Sequence, residues 1–165
     1  NAGLWSYLIG DTIKFTNLNP LKIVVSGRTK QFISAFGEHV IVEEVDLALK
    51  KACEKFNKIK VVEYTVGPRI IDSKGRSHHN WLIEFSEKPD NLKLFESEID
   101  KNLQKLNSYY KDLIRDRVLS PLKITVLKRK SFINGMKLNG KLGGQNKVPR
   151  LSNNSKIIDE LAKYE

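Results

Sequence analysis

Apolar positions in this chain recur with two different periods, and the changes between them mark out its elements. Residues 5–15 read as an extended segment broken by Gly10, with residues 21–26 (Leu-Lys-Ile-Val-Val-Ser) as its antiparallel partner. Between them, Asn-Leu-Asn-Pro at residues 17–20 has the chemistry of a turn. Residues 31–36 are rich in strand formers and end at Gly37, and a short stretch over residues 39–42 follows. Near Glu43 the period becomes helical, with Val45, Leu49, Ala52, Cys53 and Phe56 on one face. Glu43, Glu44 and Asp46 occupy its first turn, where the positive end of the helix dipole favours acids. Residues 61–66 return to a strand ended by Gly67-Pro68, and a turn at residues 72–75 leads to a second strand over 81–85.

Pro89-Asp90 opens another long helix, with Asp90 as its N-cap and Leu92, Phe95, Ile99, Leu103 and Leu106 on one face. Asn107 and the residues after it interrupt the pattern, residues 110–117 resume it, and Pro121 starts a strand over 122–127. The order β-α-β-β-α-β predicts an α+β fold. It would be a small sandwich of a mixed sheet with helices on one face, close to the split βαβ arrangement. The tail holds a short helix, a glycine-rich loop at residues 140–144 and a last helix opening at Asn153 or Asn154.

A length of 165 residues fits one ordinary domain, or a domain with a fragment of another. No apolar run approaches the ~18 residues that span a bilayer, so no membrane is expected as a partner. The lone Cys53 cannot form an internal disulfide, and with no signal peptide at the start this favours a cytoplasmic protein. The net charge of +10 is concentrated. Residues 117–158 contain ten basic side chains and no acidic one, while the remaining nineteen basic residues balance the nineteen acidic ones. Such a field attracts an anion, whether nucleic acid, nucleotide phosphate or membrane surface.

Three stretches could carry chemistry. Asp11, after Gly10, could accept hydrogen bonds from a vicinal diol, although its spacing alone suits a turn aspartate that bonds its own backbone. Arg28, in Gly27-Arg28-Thr29-Lys30, offers planar donors to an anion, or is a surface arginine after a strand. The stretch Gly143-Gly144-Gln145-Asn146-Lys147-Val148-Pro149-Arg150 combines glycines with Lys147 and Arg150, although its residues alone suit a solvated basic loop better. His78-His79 lack a second ligand pair at metal spacing, so they are expected in a loop, and no metal site is predicted.

Taken together these stretches resemble the adenylate-forming enzymes. Tyr7, Gly10 and Asp11 agree with the Tyr-Arg-x-Gly-Asp signature, with Leu8 where many relatives keep arginine. Gly27-Arg28 match the start of the Gly-Arg-x-Asp hinge pattern, with Lys30 at the hinge position. Gln145, Lys147, Pro149 and Arg150 are similar to a Gln-x-Lys-x-Pro-Arg motif of acyl-acid amido synthetases of the auxin-responsive promoter family, bacterial type. The resemblance runs from about Leu4 to the end and implies the C-terminal region of a larger ligase. That ligase would activate a carboxylic acid with ATP and Mg2+ and pass the acyl group to an amino acid amine.

By this resemblance Lys147 is the catalytic adenylation lysine, with Lys141 as its rival. Asp11 holds the ATP ribose, Arg28 and Arg150 support the nucleotide, and Lys30 is the hinge. Residues 1–29 would be the tail of a large N-terminal lobe, including its β-hairpin and the hinge approach. Residues 30–165 would be the small mobile domain, and the large lobe of the same chain its partner. Without the phosphate loop and acyl pocket, the fragment is expected to be inactive alone. The competing reading is a small basic nucleic-acid-binding α+β module. Scattered aromatic residues and the absence of an RNP-like pattern argue against it, so no nucleic-acid partner is predicted.

Overall fold

A computed structural model describes residues 3, 5–6, 10–28, 32–71, 76–138, 147–153 and 155–163. The chain opens with an antiparallel hairpin, β1 (Asp11–Leu18) and β2 (Leu21–Arg28), joined through Asn19-Pro20. Two short strands follow, β3 (Phe32–Ile33) and β4 (Val40–Ile41), paired only with each other. The bend after β3 ends at Gly37, whose φ of +92° suits glycine. Helix α1 (Val42–Lys55) begins where the Glu44 carboxylate accepts the Ile41 N–H at 3.0 Å.

The central sheet consists of β5 (Lys60–Arg69), β6 (His78–Glu87) and β7 (Lys123–Leu127), in that order. β5 and β6 are antiparallel and β6 and β7 parallel, so the sheet is mixed as expected. Between β6 and β7 run α2 (Leu92–Leu106) and α3 (Ser108–Arg115). The N-cap of α2 is Asn91 and not Asp90, because the Asn91 side chain accepts the Leu94 N–H at 3.0 Å. Asn107 breaks the two helices apart by the same device, accepting the Tyr110 N–H at 2.7 Å. Helices α4 (Ser131–Leu138) and α5 (Lys156–Ala162) complete the chain.

The two sheet faces bury two cores. Tyr64, Val66, Trp81, Ile83 and Phe85 face α1 and α2, meeting Ala48, Ala52, Phe95, Ile99 and Leu103. Leu82 and Leu127 face the opposite way, against Phe132 of α4 and Ile158 and Leu161 of α5. Helices therefore cover both faces, not one. The split βαβ expectation also needs correction, because residues 32–33 form a separate pair with β4 outside the central sheet and β7 pairs directly with β6.

Strand β5 runs through Gly67-Pro68 instead of ending there. Val66 directs both backbone groups outward, and Pro68, two residues on, has the same orientation. Its missing N–H therefore falls outside the β5–β6 ladder. His78 and His79 are not in a loop; they open β6 and are buried. Burial, with Lys123 and Arg69 nearby, pushes the His78 imidazole pKa down. His79 is held by a buried partner: its Nε2 lies 2.7 Å from Oε1 of Glu38, whose other oxygen accepts the Phe36 N–H at 2.8 Å. His79 also stacks on Tyr110, at 5.1 Å between ring centroids.

Burial alone would raise the Glu38 pKa, but the hydrogen bond and charge of His79 and the backbone N–H groups outweigh it, leaving the carboxyl below its ordinary value. A carboxyl depressed in the folded state contributes its stabilisation fully above the unfolded value near 4.5, and loses it as pH falls further. Glu38→Gln should therefore lower stability at pH 7 by about 2 kcal/mol. It should also flatten the loss of stability below pH 4.5. Urea titrations across this range check both, and an unchanged acid limb would show that the pair does not titrate with folding.

Candidate functional site

The candidate residues fall into two groups carried by different parts of the fold. Asp11 and Arg28 are backbone register partners at the open end of the hairpin. The chain enters Asp11 through Gly10, at φ +81°. Lys30, Tyr7, Lys141 and the glycines of the 140–144 loop lie outside the described residues.

The second group sits on the outer edge of β5. Leu151 pairs with Val66 in parallel. Val66 donates its N–H to the Arg150 carbonyl at 2.9 Å, and its own carbonyl accepts the Ser152 N–H at 2.9 Å. The Thr65 hydroxyl donates to the Pro149 carbonyl at 2.7 Å, and Val148 packs on the second core. Residues 148–152 thus form a short rail along β5. Lys147 is exposed at its leading end.

Arg150 clips this rail in place. Its Nη1 donates to the Glu63 carboxylate and to the Tyr64 carbonyl, the latter at 3.0 Å, and its guanidinium lies 4.4 Å from the centre of the Tyr64 ring. Burial works against the charge, but the Glu63 carboxylate more than offsets it and raises the Arg150 pKa above its ordinary value. The Tyr64 ring is itself fixed. It stacks on Trp81, and its hydroxyl donates to Asp46 of α1. Burial, followed by the Asp46 carboxylate, drives the phenol pKa far up, so the hydroxyl keeps its proton.

At the trailing end, the Asn153 side chain accepts the Ser34 N–H at 2.8 Å and donates to the Phe32 carbonyl at 2.7 Å. The sequence gives no local sign of Glu63, Tyr64, Asp46 or Asn153 at this site. Their partners stand between 18 and 121 residues away, and none of the four belongs to a motif. No group of three His, Cys, Asp or Glu suited to a metal ion occurs among the described residues. Nor is any helix among them long and apolar enough to cross a membrane.

A family model described as the GH3 family C-terminal domain matches residues 43–156, more than half of the chain. The chain belongs to the GH3 C-terminal domain family. The match includes α1 through the Lys147 rail. Among solved structures, the GH3.15 acyl acid amido synthetase is similar with a TM-score of 0.74 and 20% identity over 94% of this chain. The AtGH3.15 acyl acid amido synthetase in complex with 2,4-DB is similar with a TM-score of 0.72 and 21% identity over 94% of this chain. These likenesses show a shared fold. The chain spans 30% of the length of each of those proteins. No curated protein sequence matches the chain significantly.

Within this GH3 domain the Arg150 clip makes a measurable prediction. Arg150→Ala removes the ion pair and the ring contact, and should cost about 1–2 kcal/mol after solvent screening of a partly exposed pair. Arg150→Lys should recover little, because an ammonium lacks the planar fork. Urea unfolding of the three proteins checks this, and a lysine variant as stable as the parent would show that charge alone suffices.

Proposed function

We propose that this GH3 domain is the C-terminal part of a cytoplasmic, ATP-dependent acyl-adenylate-forming ligase that joins a carboxylic acid to the amine of an amino acid. The observation that carries this reading is an exposed lysine, Lys147, on a fixed rail inside the region matched by the GH3 model. A lysine presented this way can neutralise charge that develops between a substrate carboxylate and the α-phosphate of ATP. Asp11, at the open end of the hairpin, is suited to accept the hydroxyls of the ribose, and Arg28 opposite it to offer donors to the nucleotide. Arg150 supports the site by fixing the backbone that follows Lys147.

ATP is a substrate here, and Mg2+ would screen its phosphates. The described residues offer the ion no group of three ligands, so it is read as arriving with the phosphates. No step is assigned to the ion through this chain.

In this reading residues 1–29 close the large lobe and approach the hinge at Lys30, and residues 30–165 form the mobile domain. The hairpin supports that division. The cross-strand pairs Ile13–Val25 and Phe15–Ile23 line one face, and all four side chains are more than half exposed. On the other face Lys14 reaches Glu43 of α1 at 4.0 Å. An apolar stripe turned away from its own domain needs a cover, and the large lobe of the same chain is the proposed one.

In the complete enzyme, Lys147→Ala should lower ATP–pyrophosphate exchange by roughly a hundredfold or more. Asp11→Ala should raise the KM for ATP by about tenfold. Exchange that survives Lys147→Ala would remove Lys147 from the reaction. The isolated chain should show no exchange, and turnover by it would overturn the division of labour between lobes.

A further inference from the structure

The strand that enters the domain and the rail that follows Lys147 are joined through one side chain. Three residues separate the hairpin bearing Asp11 and Arg28 from β3. That strand pairs with β4 on one edge, while its Phe32 carbonyl and Ser34 N–H are both taken by the side chain of Asn153. Asn153 in turn follows Ser152, the last residue of the rail bonded to β5. Lys147 lies six residues upstream, within about 20 Å for an extended chain.

The amide of Asn153 thus imitates the pairing edge of a strand. One acceptor and one donor, on separate atoms, serve alternate backbone groups of its neighbour, a combination that an ionised carboxylate, which only accepts, does not reproduce. The ion pair between the hairpin and α1, Lys14 to Glu43, joins an exposed lysine to a half-exposed glutamate at 4.0 Å and is weak.

We propose that Asn153 is a positioning residue that locks β3 to the Lys147 rail, so that the strand entering the domain and the adenylation lysine move as one rigid piece. This rests on the role assigned above to Lys147. Asn153 does not touch substrate in this scheme; it acts by holding Lys147 in a fixed position relative to β3, the strand that enters the mobile domain.

The test is made in the complete enzyme. Asn153→Ala should lower kcat for ATP–pyrophosphate exchange roughly tenfold or more, as expected when a reacting group is displaced by about an ångström, with the KM for ATP changed by less than about twofold. Asn153→Asp keeps the acceptor for Ser34 but loses the donor to Phe32, and should fall between the two. Hydrogen exchange should rise together in residues 32–34 and 147–152 of the alanine variant, with α2 unchanged. A wild-type kcat, a rise in KM that accounts for the whole defect, or faster exchange confined to residues 32–34 would each overturn the coupling. If Lys147→Ala leaves activity intact, the assignment of Lys147 fails. The hydrogen-exchange result then still decides whether Asn153 links the two strands.

Discussion

Residues 148–152 lie on the outer edge of β5, and most of the second half of this domain depends on that pairing. An uncovered β5 would expose a row of backbone donors and acceptors beside an apolar face. Val66 instead satisfies its outward N–H and C=O with Arg150 and Ser152, and Leu151 enters the main core. The rail then delivers α5 onto the second face of the sheet. There Ile158 packs so closely over Gly67 that a Cβ at that position would come within 2.6 Å of Cγ1. Gly67 is needed for this approach, not for a turn. The same pairing that closes the sheet therefore also fixes the backbone that follows Lys147.

The opposite face is held by a buried polar network. Asp100 of α2 accepts the Tyr110 hydroxyl at 2.7 Å, the Leu122 N–H at 3.1 Å and the Gln104 amide at 2.6 Å. One carboxylate thereby fixes α3 and the entry to β7 relative to α2. Tyr110 stacks on His79, and His79 meets Glu38 in the segment between β3 and β4. Asn107 adds a bond to Glu44 at 2.9 Å. Each of these side chains has at least one partner, although Nδ1 of His79 is buried without a hydrogen bond, and paired networks of this kind specify an arrangement. The small β3–β4 pair is too short to stand alone, and this network joins it to the body of the domain.

Helices α1 and α2 were legible because their apolar positions follow the period that the structure buries; Val45, Leu49, Ala52, Phe95, Ile99 and Leu103 all lie in the core. The rail was not legible. Val148-Pro149-Arg150-Leu151-Ser152 is short and contains a proline, and its partner Val66 is far away in sequence. His78-His79 looked like a polar loop because the carboxylate that makes burial of His79 tolerable is Glu38, 41 residues earlier. At the candidate site, Lys147 and Asp11 were singled out by their neighbours in sequence, whereas Glu63 and Asn153 act through contacts spanning 87 and about 120 residues. Local pattern carries no information about such contacts.

The way Lys147 is held bears on what it can contribute. A lysine on a free loop would have to order several backbone residues before meeting a transition state, at about 1–2 kcal/mol each. Here the backbone from Val148 onward is already committed to β5, to the second core and to Asn153. The side chain remains exposed. For the chain downstream, the cost of ordering is thus met when the domain folds, and in the proposed reaction mainly the lysine rotamers would remain to be fixed, at up to about 2 kcal/mol. That economy would suit the role proposed for Lys147, in which it enters and leaves a shared site as two lobes move, because each approach would bring the same rigid edge with one adaptable cation at its tip.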